Sequence, residues 1–98
     1  MMPPLTRVGV DFSTGHSSFP PNVVASGSTN VLTNSISTVR QGDPMVPHGS
    51  PSPSPPHGGS IATGSGTVMV NSKPACRIGD AISCGQAVAQ GSGNVICG

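Results

Sequence analysis

The 98-residue chain contains no glutamate, no tryptophan and no tyrosine, and only 7% of its residues are charged. So little charge leaves no basic footprint for nucleic acid. The formal net charge of +1 argues equally against a self-repelling coil. Long apolar runs are also missing. None approaches the roughly 18 residues of a membrane-spanning helix, so stable membrane insertion is not expected. The opening Met1-Met2-Pro3-Pro4 lacks the charged and then apolar pattern of a signal peptide. Leucine is scarce, with two residues against eleven Val and five Ile. Leu, Ile, Val and Phe together make 20 residues, at the border of what a folded core requires.

What the chain does have is backbone punctuation: 14 Gly, 11 Pro and 15 Ser. Such a composition breaks helices, while β-branched residues suit pleated surfaces. The reading is all-β, a single small domain over residues 1–98 built from short strands and turns. A core this thin calls for a staple. Disulfides among Cys76, Cys84 and Cys97, or a metal, would supply one.

Two short patterns each occur three times and alternate along the chain. One is Arg7-Val8-Gly9-Val10-Asp11, Arg40-Gln41-Gly42-Asp43 and Arg77-Ile78-Gly79-Asp80, with Val10 an extra residue in the first copy. All three Arg and all three Asp of the protein lie in these copies, and only Lys73 is charged outside them. Gly there supplies positive φ for a turn. The Arg forks suit the carboxylates, within a copy or between copies. The other pattern is Gly27-Ser28-Thr29-Asn30-Val31, Gly64-Ser65-Gly66-Thr67-Val68 and Gly91-Ser92-Gly93-Asn94-Val95. These segments read as strand entries. Val31-Leu32-Thr33 and Val68-Met69-Val70 alternate inward and outward positions, Asn34 and Asn71 follow as turn residues, and Val95-Ile96 ends in the same register. The pattern predicts pseudo-threefold symmetry.

The metal-capable side chains follow the repeat. His16 lies nine residues after Arg7, His48 eight after Arg40 and Cys84 seven after Arg77. His57 stands at the far end of a Pro/Ser run that begins after His48. Three imidazoles and one thiolate match the tetrahedral demand of Zn²⁺, and Fe²⁺ tolerates similar ligands. The set His16, His48, His57 and Cys84 would close the coordination sphere and be structural, its binding energy adding to folding. Cys76 reads as a small buried hydrophobe. Cys97 is buried, free or paired, and a Cys76–Cys97 disulfide stays open. The Pro/Ser-rich loop 49–56 reads as a linker of polyproline type, or as a stapled surface loop if both flanking His bind one metal.

Pro74-Ala75-Cys76-Arg77 resembles the Pro-Ala-Ala-Arg tetrad of the PAAR-repeat proteins. The stretch from His57-Gly58-Gly59-Ser60 through Val68, Asn71 and Pro74 to Gly79-Asp80 and Cys84-Gly85 is similar to the family pattern throughout. The earlier copies, Pro4-Leu5-Thr6-Arg7 and Ser37-Thr38-Val39-Arg40, keep only the Arg well. The resemblance implies a small cone-shaped fold of short strands with pseudo-threefold symmetry. Its wide base would dock on a trimeric β-helical spike, VgrG-like or from a phage tail, one cap per trimer. Its vertex would hold a metal on His16, His48, His57 and Cys84. The implied function is a structural spike tip of a type VI secretion system or contractile phage tail. Such a protein is made in the bacterial cytoplasm, carried to the target envelope, and helps attach effector proteins.

Two other classes compete. A metalloenzyme needs an open coordination site and a general base. The only carboxylates are Asp11, Asp43 and Asp80, all absorbed by the repeats, so no catalytic residue is expected. A Pro-rich adaptor with a structural metal site is the alternative. Deleting residues 50–55 separates it from the tip, because an adaptor loses its partner whereas a tip still docks its spike.

Overall fold

Two Asn-Ser dipeptides set the local architecture. Asn34, Ser35, Asn71 and Ser72 have φ of 53°, 66°, 53° and 65°. Two successive left-handed residues form the tight turn whose twist matches a β-hairpin, and Asn tolerates that region better than most residues. In the computed structural model, which describes residues 3–15, 20–47, 58–83 and 85–97, these turns fold β1 (Leu32–Thr33) onto β2 (Ile36–Ser37) and β3 (Met69–Val70) onto β4 (Lys73–Pro74). Leu32 lies opposite Ser37 and Met69 opposite Pro74. A third hairpin is shared between the two ends of the chain. Pro4 pairs with Ile96, Leu5 N donates to Val95 O at 2.9 Å, and Cys97 N donates to Pro3 O at 3.0 Å. The matching bonds in the other hairpins are Thr38 N to Val31 O (3.1 Å) and Ala75 N to Val68 O (3.0 Å).

Pro4, Ser37 and Pro74 are therefore equivalent, as are the tetrads they begin. Just before each Arg the three copies meet. Thr6 N donates to Cys76 O, Cys76 N to Val39 O and Val39 N to Thr6 O, at 3.0–3.1 Å. This cyclic set of three bonds marks the pseudo-threefold axis. All three residues are fully buried.

Beyond the ring, six short segments close into a barrel through single antiparallel pairings. These are Phe12 with Val23, Val24 with Met45, Pro44 with Ser60, Ile61 with Ile82, Ala81 with Ala87, and Val88 with Ser13. Closure leaves the barrel no unpaired edge. Val24, Ile61 and Val88 are equivalent and point inward with Met45 and Ile82, and they form the larger apolar cluster with Val39 and Cys76. A smaller cluster of Leu5, Val70, Ala75 and Cys97 lies under the hairpins. The radius of gyration, 12.7 Å, is that of a compact domain of this length. The described residues contain no helix, so none is long and apolar enough to cross a membrane. The all-β, pseudo-threefold expectation holds.

Candidate functional site

The repeated turns are locked alike. The Arg–Asp pairing that the sequence left open is local in every copy. In each, Asp Oδ2 accepts from the Arg backbone N–H (2.9, 2.7 and 2.7 Å) and from Nε (2.8, 3.1 and 3.2 Å), while Oδ1 accepts from Nη2 (2.8, 2.9 and 2.9 Å). Hydrogen bonding to the Asp raises each guanidinium above its ordinary pKa. The Val10 insertion lengthens the first turn without changing these bonds. Gly9, Gly42 and Gly79 carry the expected positive φ (76°, 92° and 93°).

The Gly-Ser pattern has its own reason. A Cβ on Gly27, Gly64 or Gly91 would come within 3.0 Å of the facing chain, at 2.6 Å from Thr38 O, 2.7 Å from Pro74 Cβ and 2.7 Å from Leu5 O. The Ser that follows turns its hydroxyl back to accept from the backbone N–H groups two and three residues on, at 2.8–3.3 Å. Asn71 then reaches across to Ser28 and Asn30, and Asn34 to Ser92 and Asn94.

At the hairpin end, the residue after each Val faces out. Leu32, Met69 and Ile96 are equivalent and 59%, 59% and 51% exposed. The register places each in a non-hydrogen-bonded pair, so its N–H and C=O point away from its own hairpin. The end thus presents three equivalent open strand edges, each with an apolar side chain. The repeat spacing carried this signal, since Val31-Leu32, Val68-Met69 and Val95-Ile96 align in the sequence.

The stems of the segments that contain the proposed ligands lie at the opposite end. His16, His48, His57 and Cys84 lie outside the described residues, as does the Pro/Ser loop. The chain enters those segments after the equivalent residues Thr14, Val46 and Ser83. It leaves them toward the equivalent residues Asn22, Gly59 and Gln86. These stems are hydrogen-bonded to one another: Thr14 N to Ala87 O, Val46 N to Val23 O, and Ser83 N to Ser60 O, at 2.8–2.9 Å. Counted from the equivalent Ser13, Met45 and Ile82, His16 and His48 each lie three positions on and Cys84 two. The described stems that flank all four candidate ligands in the sequence thus lie at one end of the barrel, and the donor set suits zinc. Among the described residues no group of three His, Cys, Asp or Glu forms a metal site.

A buried polar cycle closes this end of the barrel, and sequence reasoning missed it. Ser13 Oγ lies 2.6 Å from Gln86 Oε1, Gln86 Nε2 donates to Asn22 Oδ1 (2.8 Å), and Asn22 N donates to Ser13 Oγ (3.0 Å). Asn22 Nδ2 also donates to Val46 O at 2.6 Å. The open question over cysteines is settled for two of them. Cys76 and Cys97 are buried free thiols in separate apolar clusters, not a disulfide. Burial pushes the Cys76 thiol up to about 12 and raises that of Cys97.

The described residues thus form a pseudo-threefold, all-β unit with three exposed apolar side chains at one end and the loop stems at the other. Comparison with protein families agrees: residues 14–90 match the PAAR motif family, to which the chain belongs. That family comprises structural spike-tip proteins associated with type VI secretion, and its members bind VgrG-like spike proteins in general. No curated protein matches the chain.

Proposed function

We propose that this protein is a structural tip that caps a trimeric β-helical spike, VgrG-like or of a phage tail, one cap per trimer, and sharpens it for piercing an envelope. The observation that carries the reading is the set of open edges at Leu32, Met69 and Ile96. One chain offers the same contact three times, which suits a partner made of three identical subunits. Each spike subunit ends in a strand with unpaired backbone groups, and each hairpin edge can pair with one of them.

At the other end, His16, His48, His57 and Cys84 would hold one Zn²⁺, or Fe²⁺ in its place. With four protein ligands the metal leaves no position for substrate, so its contribution is to tie the loops. No residue needs a catalytic role, and the tip would also help attach effectors.

The test is co-expression with a trimeric β-helical spike. The expected result is a complex of one cap to three spike subunits. Asp substituted at Leu32, Met69 and Ile96 together should abolish it without lowering the thermal midpoint, because all three side chains are exposed. Docking unchanged in that triple variant would remove the hairpin end as the docking face.

A further inference from the structure

The three repeats serve as one another's controls. Barrel residues that point outward occupy equivalent positions on three facets. One facet presents Phe12, Val23 and Val46. The equivalent positions hold Pro44, Ser60 and Ser83 on the second and Ala81, Ala87 and Thr14 on the third. Folding therefore does not require bulky apolar groups there, yet one facet has them. Phe12 is 44% exposed and Val46 40%, with Val23 between them half-buried. Val10, the residue inserted in the first repeat, precedes Phe12 by two positions and is 45% exposed. The backbone makes its own provision for the asymmetry. Gln90 Oε1 accepts the Phe12 N–H (3.0 Å), Thr63 Oγ1 accepts the equivalent Ala81 N–H (2.9 Å), and Pro44 has none to satisfy.

We propose that the Phe12–Val23–Val46 row is a second docking surface, which takes one short, uncharged, extended segment of another protein with alternate apolar side chains. Size argues for a segment and against a second copy. Phe12, Val46 and Val10 expose on the order of 200 Å², whereas a stable protein–protein interface buries about 800 Å² on each partner. Charge argues the same way, since every Arg and Asp is paired within its own turn and Lys73 lies on β4. The row crosses adjacent strands over roughly 10 Å, room for two alternate side chains of an extended segment. It lies off the threefold axis and away from the hairpin end, so one segment binds per cap while the spike stays seated.

The test uses the whole protein and fluorescein-labelled, uncharged heptapeptides in which Val, Ile, Leu or Phe alternates with Ser or Thr. Saturable polarisation at one site per chain is expected for at least one peptide. Phe12→Ala or Val46→Ser should weaken it at least five-fold, and the double variant should abolish it. Both replacements copy residues that the third and second facets already carry, so the thermal midpoint and spike binding should not move. The converse variant, Ala81→Phe with Ala87→Val, should create a second site. The proposal is overturned if no peptide saturates, if the double variant binds like wild type, or if the row instead mediates a dimer that the double variant dissolves.

Discussion

The hairpin end and the loop end of this protein differ in what is added to their backbone bonds. At the hairpin end the backbone does most of the work. Three hairpins, three Ser-capped turns and the Thr6–Val39–Cys76 ring satisfy one another's peptide groups, and a small apolar cluster sits beneath. At the loop end backbone bonds such as Thr14 N to Ala87 O and Ser83 N to Ser60 O also join the barrel segments, and the buried side-chain cycle of Ser13, Asn22 and Gln86 is added to them. Beyond that cycle the chain leaves into the segments that carry the proposed metal ligands. A backbone-closed end needs little from its side chains and can present apolar ones to a partner. An end from which three loops depart gains from a further tie. Where the apolar supply is limited, the proposed metal falls at the end whose described residues finish in a polar cycle.

The largest effect that would break this contrast is at the metal. Elemental analysis should give about one Zn or Fe per chain. Chelation or His48→Ala should lower the thermal midpoint by about 15 °C or more, given about 4–8 °C per kcal/mol for a domain of this size. Correctly folded protein without metal would leave the loop end held by its backbone bonds and the polar cycle. Next come the turn locks between the two ends. Asp80→Asn removes the charge that faces Arg77 and one of two buried acceptor oxygens, Oδ2 serving Arg77 N and Oδ1 serving Thr63 Oγ1, and should cost about 3 kcal/mol in denaturant unfolding. Asp43→Asn, whose carboxylate lacks a threonine partner of that kind, should cost about 2 kcal/mol.

The ring supplies a test by pH. The Cys76 thiol is raised to about 12, while an unfolded thiol titrates near 8.5. Above that value the unfolded chain loses a proton that the folded chain keeps. Stability is therefore full below about pH 8.5 and falls as pH rises toward 12. Cys76→Val, which copies its equivalent Val39, should flatten the decline, leaving the smaller share of Cys97. An unchanged slope would place the titration elsewhere. The smallest effect sharpens the hairpin end itself. Thr33 and Thr38 share a buried 2.7 Å hydrogen bond where the equivalent pairs are Val70 with Ala75 and Cys97 with Leu5. Thr33→Val alone strands the Thr38 hydroxyl and should cost about 1–2 kcal/mol. Thr33→Val with Thr38→Ala copies the Val70–Ala75 pair and should recover most of that loss.

Much of the fold was legible because the repeat ties chemistry to position. Every Arg and Asp fell into one turn pattern, the Gly-Ser copies marked the approach to each hairpin, and the Asn after each of the first two marked its turn. The tetrads Pro4 to Arg7 and Ser37 to Arg40 aligned with Pro74 to Arg77 although they share little beyond Arg. The hydrogen-bond register bears that alignment out. The Ser13–Asn22–Gln86 cycle was not legible. Its members come from the first and third repeats, and the positions equivalent to Ser13 are Met45 and Ile82, so no pattern flagged a polar group there. The facet of Phe12, Val23 and Val46 was hidden for a related reason. The three residues lie on three segments and become neighbours only when the barrel closes.

By itself the sequence determined the class of structure, the number of repeats and the local turns, because these depend on interactions within a few residues and on spacing. It also named the residues proposed to hold a metal. Tertiary structure decided what the repeats do to one another: the ring of three backbone bonds, the third hairpin made from both ends of the chain, and the closed barrel. Those bonds join residues dozens of positions apart, and backbone N–H and C=O groups are the same in every residue. No side-chain pattern records which of them will meet.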